Sequence, residues 1–340
     1  MKPTPGMHVA IVYNTYIPVA GRNAEAQAEL ATAAAARRAA AAVRACGWRP
    51  VMFPVGASLP GVISRLRRRR PALLVNLCEG FAGRPGHEAH MAGLWELLGL
   101  PFTGNTARAL SICQNKYQAK LLLQAAGVAT PPGWLARRAA DVPGPLHFPL
   151  IVKPVAEDGG IGVYHESVVN GRRQLEDRIR RVVRRYAQPA LVEHYIDGRE
   201  FNVAIIEEKE PLVLPLSEIV FQDFPAGQPR IVGYQAKWHP EHDSYRHTVP
   251  QCPASAPRAA AVGMRRAALR AWHCLGLRGY ARFDFRLDAC NRFYLLEANP
   301  NPDPAPDAGL ARAWAATGRS YPDFWRGQAQ TALRRWKGQP

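Results

Sequence analysis

The chain has 340 residues, 44 of them lysine or arginine against 27 aspartate or glutamate, which gives a formal net charge of +17 and a pI of about 10.1. This length accommodates two or three subdomains with cores of their own, and a hydrophobic content of 47% is ordinary for a globular protein. No uninterrupted apolar run approaches the roughly 20 residues of a membrane span, so the sequence excludes a membrane protein of that type.

The basic excess raises the question of nucleic-acid binding. The densest run, RLRRRR at 65–70, is expected at the C-terminal end of a helix, where cations are favoured. The sequence has neither zinc-finger spacing nor a basic stripe interleaved with aromatic residues. Nucleic acid is therefore disfavoured as the main partner, and a positive field also attracts small anionic substrates.

The N-terminal sequence and the cysteines indicate a cytoplasmic protein. Two prolines lead directly into an apolar segment at 8–13, which is typical of a first strand and lacks the organisation of a signal peptide. The six cysteines are scattered without a C-x-x-C pair, so they are expected to be reduced thiols.

The first third alternates strands and helices. We predict strands at 9–13, 51–53 and 72–76, with helices at 24–45 and 59–68 between them. This β-α-β-α-β order implies a parallel sheet covered by helices. A glycine-rich loop at 78–86, a helix at 89–98 and a turn, Pro101-Phe-Thr-Gly104, follow.

The middle of the chain carries lysines and a glycine-rich loop. A helix at 115–126 begins with Asn115-Lys116, and on the pattern alone its lysines at 116 and 120 indicate a solvent-exposed face. An apolar strand then ends at Lys153 and is followed by a loop with Gly159, Gly160 and Gly162. Such glycines allow backbone N–H groups to turn towards phosphate oxygens, although no Walker motif is present.

After a basic helix at 171–186, the segment 190–201 carries Glu193 and Glu200. Glu193 follows two apolar residues, so burial would require a hydrogen-bond donor for its carboxylate. Helices are predicted at 259–275, 308–316 and 321–336.

The segment 282–299, RFDFRLDACNRFYLLEAN, predicts two strands joined by a tight turn. Glu297 and Asn299 leave the same face of the second strand, and a hairpin brings Asp284 beside them. Two carboxylates and an amide oxygen suit Mg²⁺, whereas Arg282, two residues before Asp284, adds a cation on the same side. The alternative at this point is a solvated hairpin with its charges in water.

Taken together, these motifs resemble the ATP-grasp ligases and, within them, the D-alanine–D-alanine ligases. The resemblance rests on R-x-D and E-x-N at 282–284 and 297–299, with Asp and Glu 13 apart (297 − 284), on Glu96-Leu-Leu-Gly99 before Pro101-Phe-Thr-Gly104, and on Tyr234-Gln-Ala-Lys237. It implies an α/β fold in three parts. These are an N-terminal parallel-sheet domain at 1–114 and two α+β subdomains, at 115–198 and 199–340, which clamp ATP between them.

The resemblance also implies roles for individual residues. The lysines Lys116, Lys153 and Lys237 would contact phosphate, and the lid glycines Gly159 and Gly160 would cover it. The segment at 193–200 would bind the nucleoside through the Glu193 carboxylate at the adenine amino group, backbone groups of His194 and Ile196, and Glu200 at the ribose.

In catalysis, the resemblance implies that Asp284, Glu297 and Asn299 hold two Mg²⁺ ions, or Mn²⁺ in their place. A substrate carboxylate would attack the γ-phosphorus to give an acyl phosphate, which an amine would then attack. Arg282 would stabilise the tetrahedral oxyanion, and Lys237, through its contact with phosphate, is the second catalytic candidate. The partners would be a small carboxylic acid and a small amine, and the family implies a homodimer.

The substrate loops depart from the family. Its H-G-x-x-G-E-D-G loop is absent, so Glu79 and Glu88 are weak candidates in roughly its place, and Glu25 is a weak match to the acidic residue that holds the first substrate's amino group. The family has serines where this chain has Gly159 and Gly160, and a tyrosine where it has Trp238.

The loop after the hairpin departs further. Asp303 stands where the family has a glycine, and the Ser-Leu pair that binds the second amino acid's carboxylate is missing. The added negative charge predicts a second substrate other than D-alanine. The alternatives are an authentic D-alanine–D-alanine ligase, a nucleotide-binding protein without turnover and a basic nucleic-acid-binding protein.

The histidine pattern does not lead us to predict a transition-metal site. His239, His242 and His247 lie in a region expected to form an irregular lid, and no role follows for them from the sequence. His87 and His90 are three apart rather than four, so they do not form a zinc-protease motif.

Overall fold

A computed structural model describes residues 5–15, 23–224, 227–239 and 241–337. The first sheet is parallel, with strand order β2-β1-β3, as the alternating pattern predicted. Its elements, with the helices that connect them, are β1 (His8–Asn14), α1 (Asn23–Ala45), β2 (Arg49–Val55), α2 (Leu59–Arg69), β3 (Leu73–Leu77) and α3 (Glu88–Leu97). Helix α2 ends inside the arginine run, also as predicted.

The second sheet is antiparallel, with order β4-β7-β5-β6. Its apolar face is covered by one side of an amphipathic helix through Leu175, Ile179 and Val182. The elements of this part are α4 (Ala107–Gln114), α5 (Lys116–Ala125), β4 (Gly133–Ala136), β5 (Leu150–Pro154), β6 (Val168–Val169), the covering helix α6 (Arg172–Tyr186) and β7 (Ala190–His194).

The third sheet has six strands in the order β11-β10-β8-β12-β13, with β9 paired to β8, and every pairing is antiparallel. Its strands are β8 (Arg199–Glu207), β9 (Pro211–Val213), β10 (Ser217–Phe221), β11 (Thr248–Gln251), β12 (Tyr280–Leu287) and β13 (Phe293–Asn299). The helices of this part are α7 (Tyr234–Trp238), α8 (Asp243–Arg246), α9 (Arg258–Cys274), α10 (Gly309–Ala315) and α11 (Tyr321–Lys337). Among the residues that the structure describes, short 3₁₀ turns lie at Pro85–His87, Ala139–Asp141 and His165–Ser167.

Two packing contacts join these parts across the sequence. Helix α11 returns to the first sheet, where Phe324 and Trp325 share a core with Val9 and Ile11. Helix α5 packs through Leu123 into the core beneath the third sheet, although it lies at the start of the predicted central part. The predicted domain limits therefore remain predictions. The loops around the hairpin are held between the first and third sheets.

The structure differs from the sequence prediction in its short elements. Helix α4 and strands β4, β10 and β11 were not predicted, because each is short and depends on pairing or packing with distant segments rather than on a local pattern. The region expected to be an irregular lid contains the short helices α7 and α8. Over the described residues, no helix is both long and apolar enough to cross a membrane.

Candidate functional site

A cleft that is open to solvent lies between the second and third sheets. Of the residues singled out in the sequence, ten line the cleft: Lys116, Lys153, Gly160, Glu193, His194, Ile196, Glu200, Lys237, Asp284 and Glu297. Gly159, Arg282 and Asn299 are not among the lining residues.

The hairpin places its carboxylates as the sequence predicted. Asp284 lies directly opposite Glu297 in the β12–β13 register, with a bulge immediately after Asp284. Arg282 donates to both oxygens of Asp284, at 2.7 and 2.8 Å, and Asn202 on β8 donates to the same carboxylate at 2.7 Å. Asp284 is therefore fixed from two sides, and it is buried.

Lys116 connects the hairpin to the glycine-rich loop at 156–162, which we call the lid loop. Its Nζ donates to Glu297 at 2.5 Å and to Asp158 at 2.8 Å, and its side chain is only 8% exposed. Burial lowers the pKa of Lys116, but the two carboxylates outweigh it and raise the pKa above its ordinary value. Burial likewise raises the pKa of Glu297, yet Lys116, Lys153 and Lys237 outweigh it and hold that pKa well below the usual range.

A buried charge triad lies at the other end of the cleft. The Glu193 carboxylate is 1% exposed and forms ion pairs with Lys120 and with Lys153, the latter at 2.7 Å. Lys120 also donates to the carbonyl oxygen of Pro131 at 2.6 Å. The interpretation of Lys116 and Lys120 as a solvent-exposed face is wrong, because both lysines turn inward to carboxylates that are distant in sequence.

We expect Lys120→Met to lower the free energy of unfolding by roughly 3 kcal/mol, because removing one partner of a buried charge pair leaves the other uncompensated. Lys153 remains beside Glu193, which limits the loss. Urea unfolding measures the effect, and Gln118→Met on the exposed side of the same helix is the matched control. Equal unfolding free energies for the two variants would show that the triad does not stabilise the fold.

The nucleoside candidates are held more tightly than the sequence indicated. Glu200 forms an ion pair with Arg286 at 2.9 Å, and both side chains are buried. Burial raises the pKa of Glu200, and Arg286 opposes that rise. The N–H of His194 already donates to Pro132 O at 2.8 Å, so that donor is not available at the edge of the cleft.

The lid loop requires glycine at three positions. Gly159, Gly160 and Gly162 have φ of +64°, +78° and +76°, which L side chains rarely adopt. A Cβ on Gly160 would lie 3.0 Å from backbone atoms of Gly233 and Tyr234, so the loop packs closely against the start of α7. Helix α7 carries Lys237 into the cleft.

The metal candidates fit a magnesium ion by donor chemistry. Asp284 and Glu297 supply hard oxygen donors from directly opposed positions, and these are the ligands that Mg²⁺ prefers. Asn299 Oδ1 accepts the N–H of Asn301 at 2.9 Å, which leaves part of its acceptor capacity. Within the described ranges there is no group of three or more His, Cys, Asp or Glu placed to hold a metal.

The weak substrate candidates Glu79 and Glu88 lie at the first sheet's end of the site. Asn301 donates to Glu88 at 2.6 Å and links the hairpin loop to the start of α3. Burial, helped by Asp158 and Glu79, raises the pKa of Glu88 to about 8. Glu79 donates its N–H to Asn14 Oδ1 at 2.7 Å. The side chain of Glu25 lies outside the described residues.

Asp303 lies in the loop after the hairpin, at an exposed position. Its Oδ1 accepts the N–H of Ala305 at 2.9 Å. Desolvation by the surrounding chain and the charge of Asp307 raise the pKa of Asp303, whereas Arg282 and Arg38 lower it. The role of Asp303 beside a substrate stays a prediction.

His239, His242 and His247 each have a separate local partner. His239 contacts Glu241 at 2.8 Å, His242 Nδ1 accepts the N–H of Ser244 at 3.1 Å, and His247 contacts the carbonyl oxygen of Gln222 at 2.8 Å. These contacts order the segment around α8.

Four polar residues of the site were not predicted: Lys120, Asp158, Asn202 and Arg286. Lys120 follows Lys116 by four residues, and Arg286 continues the alternation of Arg282 and Asp284 along β12, so a face argument would have found both. Asp158 and Asn202 gave no such signal, because their roles depend on contacts with distant elements.

Known proteins resemble this chain along most of its length. Residues 124–326 match the family model described as the D-ala D-ala ligase C-terminus. A D-alanine–D-alanine ligase of Bordetella petrii is 33% identical over 246 residues, 71% of each chain, and the uncharacterized protein y4sG of Sinorhizobium fredii is 29% identical over 88% of this chain and 87% of its own. The crystal structure of the D-alanine–D-alanine ligase from Bacillus anthracis complexed with ATP superposes with a TM-score of 0.76 at 19% identity, covering 98% of this chain and 99% of that one. At that identity the likeness shows the fold.

Proposed function

Because this chain belongs to the D-alanine–D-alanine ligase family of ATP-grasp, ATP-dependent carboxylate–amine ligases, we propose that it joins an amino acid or small peptide to an amine. In this proposal, the two substrates are not both D-alanine. The observation that carries this proposal is the loop after the hairpin. There, Asp303 stands where the family has a glycine, and Arg282 is among the charges that lower the pKa of its carboxyl group.

The nucleotide site of this proposal is the cleft between the second and third sheets. Lys116 pairs with Glu297, and the charges of Lys153 and Lys237, which also line the cleft, help to lower the pKa of that carboxyl group. A triphosphate requires such a concentration of positive charge. In the proposed binding step, the lysines exchange part of their carboxylate contacts for phosphate oxygens. The glycines of the lid loop bring backbone N–H groups over them.

Asp284, Glu297 and Asn299 would hold magnesium, which neutralises charge on the β- and γ-phosphate oxygens during phosphoryl transfer. The fixed position of Asp284, with hydrogen bonds from Arg282 and Asn202, supports this assignment. The chain's own contribution is to present two opposed carboxylates without side-chain rearrangement of Asp284.

The reaction needs no nucleophile from the protein. A carboxylate oxygen of the acid forms a bond to the γ-phosphorus, ADP leaves, and an acyl phosphate results. The amine nitrogen then bonds to the carbonyl carbon, the C–O bond to phosphate breaks, and the amine loses a proton. In this proposal Arg282 would stabilise the oxyanion between those two events, and Lys237 would bind phosphate.

The experiment is ADP release by the full chain with Mg-ATP and a panel of single amino acids and pairs, D and L. Turnover with a pair other than D-alanine plus D-alanine supports the proposal and identifies acid and amine together. Efficient turnover restricted to D-alanine plus D-alanine would support the authentic ligase instead. If the chain neither releases ADP nor gains melting temperature with ATP, the proposal fails.

A further inference from the structure

Arg286 lines the cleft between the second and third sheets, although no step of the proposed reaction uses it. It lies two residues after Asp284 on β12 and directly opposite Glu200 on β8. Side chains two residues apart on a strand leave the same face, so the ion pair between Arg286 and Glu200 shares one face of the third sheet with Asp284. The proposed ribose and metal positions are therefore neighbours along one row of charged side chains.

The guanidinium of Arg286 also holds two loops that border the cleft. Its Nη1 donates to Gly198 O at 2.8 Å, in the turn where the chain passes from the second sheet to the third. Its Nη2, which pairs with Glu200, also donates to the carbonyl oxygen of Arg230, in the segment before α7. Tyr195 Oη donates to the same carbonyl at 3.1 Å. One buried cation thus connects the turn between the sheets, the ribose candidate and the segment before α7.

The segment after Arg230 leads directly to the phosphate end of the cleft. Residues 231–232 line the cleft, and Lys237 lies seven residues after Arg230 in the sequence. The N–H of Tyr234, at the start of α7, donates to Val163 O at 3.0 Å, immediately after the lid loop. A shift of the Arg230 carbonyl would therefore move the backbone that carries Lys237 and packs beside the lid loop.

We propose that Arg286 is a positioning residue that couples the ribose bound at Glu200 to the placement of Lys237 at the phosphates. This inference rests on the proposed function of the site. A ribose hydroxyl that donates to Glu200 fixes the carboxylate and, through the ion pair with Arg286, the Arg230 carbonyl. Binding energy from this remote part of ATP then acts at the reacting phosphate, so it raises the rate of phosphoryl transfer as well as the affinity.

The test compares ATP with 2′-deoxy-ATP in the unaltered chain, Arg286→Gln, Arg286→Lys and the control Arg199→Gln. Arg199 precedes Glu200, leaves the opposite face of β8 and pairs with Glu218 on β10. For each protein, equilibrium binding gives the Kd of each nucleotide. Rapid quench gives the single-turnover rate of ADP formation at saturating nucleotide with the best acid, and the melting temperature reports folding.

We expect the unaltered chain to form ADP at least about 5-fold faster from ATP than from 2′-deoxy-ATP, the lower end of coupling between two sites. Arg286→Gln should reduce this rate ratio to less than about 2-fold. Arg286→Lys keeps the charge without the planar fork and should restore part of the ratio, whereas Arg199→Gln should leave it unchanged. Tyr195→Phe removes the second donor to Arg230 O, so it should lower the ratio as well, and it replaces Arg286→Gln if that variant does not fold.

Three outcomes overturn the assignment of Arg286 while the ligase function stands. The unaltered chain could form ADP equally fast from both nucleotides, or Arg286→Gln could keep the full rate ratio. A change in Kd alone, equal for the two nucleotides, would show that Arg286 stabilises the cleft without coupling its ends. If the unaltered chain neither binds ATP nor releases ADP with any acid, the proposed function itself fails and this inference fails with it.

Discussion

Replacing Glu297 with glutamine should lower kcat by at least about 10³-fold, which corresponds to roughly 4 kcal/mol of transition-state stabilisation. Glutamine keeps the size and one oxygen of Glu297 but loses the charge that a hard cation requires. The measurement is the steady-state rate of ADP release as a function of Mg²⁺ concentration. A rise in the Mg²⁺ concentration needed for half-maximal rate should accompany the fall in kcat.

Asp158→Asn is the matched control for this change. Asp158 and Glu297 are the two carboxylates that hold Lys116, at 2.8 and 2.5 Å, so each substitution removes one ion pair from the same lysine. If Glu297 acts as a metal ligand, Asp158→Asn keeps kcat within about 10-fold of the unaltered chain. Equal losses in the two variants would mean that Glu297 serves to anchor Lys116 rather than to bind metal.

The same pair of variants separates an enzyme from a protein that only binds nucleotide. If Glu297→Gln abolishes the observed turnover while ATP still raises the melting temperature of the variant, the activity belongs to this site. Turnover that survives the substitution would point to a contaminating ligase or to chemistry elsewhere in the chain. The alternative of a binding protein without turnover would gain support if the unaltered chain released no ADP.

The sequence was most informative where the pattern is local. Alternation along β12 and β13 predicts that Asp284 and Glu297 meet, and the register confirms it, because a hairpin brings together residues that are close in sequence. The parallel first sheet follows from strand and helix order alone. The glycines at 159, 160 and 162 likewise predict a backbone that turns in ways other residues rarely adopt, and all three have positive φ angles.

What the sequence did not predict depends on contacts between elements that are distant in the chain. In the sequence, Lys120 resembles any charged residue on an amphipathic helix. It becomes a buried ion-pair partner because strand β7, which carries Glu193, packs beside it in the fold. Arg286 similarly acquires its role from Glu200 on β8. In the free protein, Lys116 and Lys153, which would bind ATP, already carry carboxylate partners.

These ion pairs bear on how the site works. A cleft with Lys116, Lys153 and Lys237 unpaired would repel itself in a water-poor environment. The carboxylates of Glu193, Glu297 and Asp158 reduce that cost in the absence of nucleotide, because they pair with Lys116 and Lys153. When a triphosphate binds with its metal, the lysines would then exchange carboxylate partners for phosphate oxygens. This exchange limits the affinity for the nucleotide, because existing ion pairs are lost, but it keeps the site preorganised.

Replacing Arg282 with glutamine should lower the rate of amide formation by about 10²- to 10³-fold, the scale observed when one oxyanion donor is removed. Arg282 is fixed by two hydrogen bonds to Asp284, which hold its guanidinium in one orientation. Those bonds, with burial opposing them, raise the pKa of Arg282 above its ordinary value, so the positive charge persists across the working pH range.

The step affected distinguishes an oxyanion donor from a residue that only positions Asp284. If Arg282 acts on the tetrahedral intermediate, rapid-quench measurements should show a burst of ADP close to that of the unaltered chain, followed by slow amide formation. Loss of the burst together with the steady-state rate would instead indicate that Asp284 has moved and phosphoryl transfer has failed. Arg292→Gln, in the exposed turn of the same hairpin and paired only with Asp288 among charged residues of the described chain, is the control for general effects on the hairpin. Because Asp284 also keeps its hydrogen bond from Asn202, we expect the burst to survive and the defect to lie in the second step.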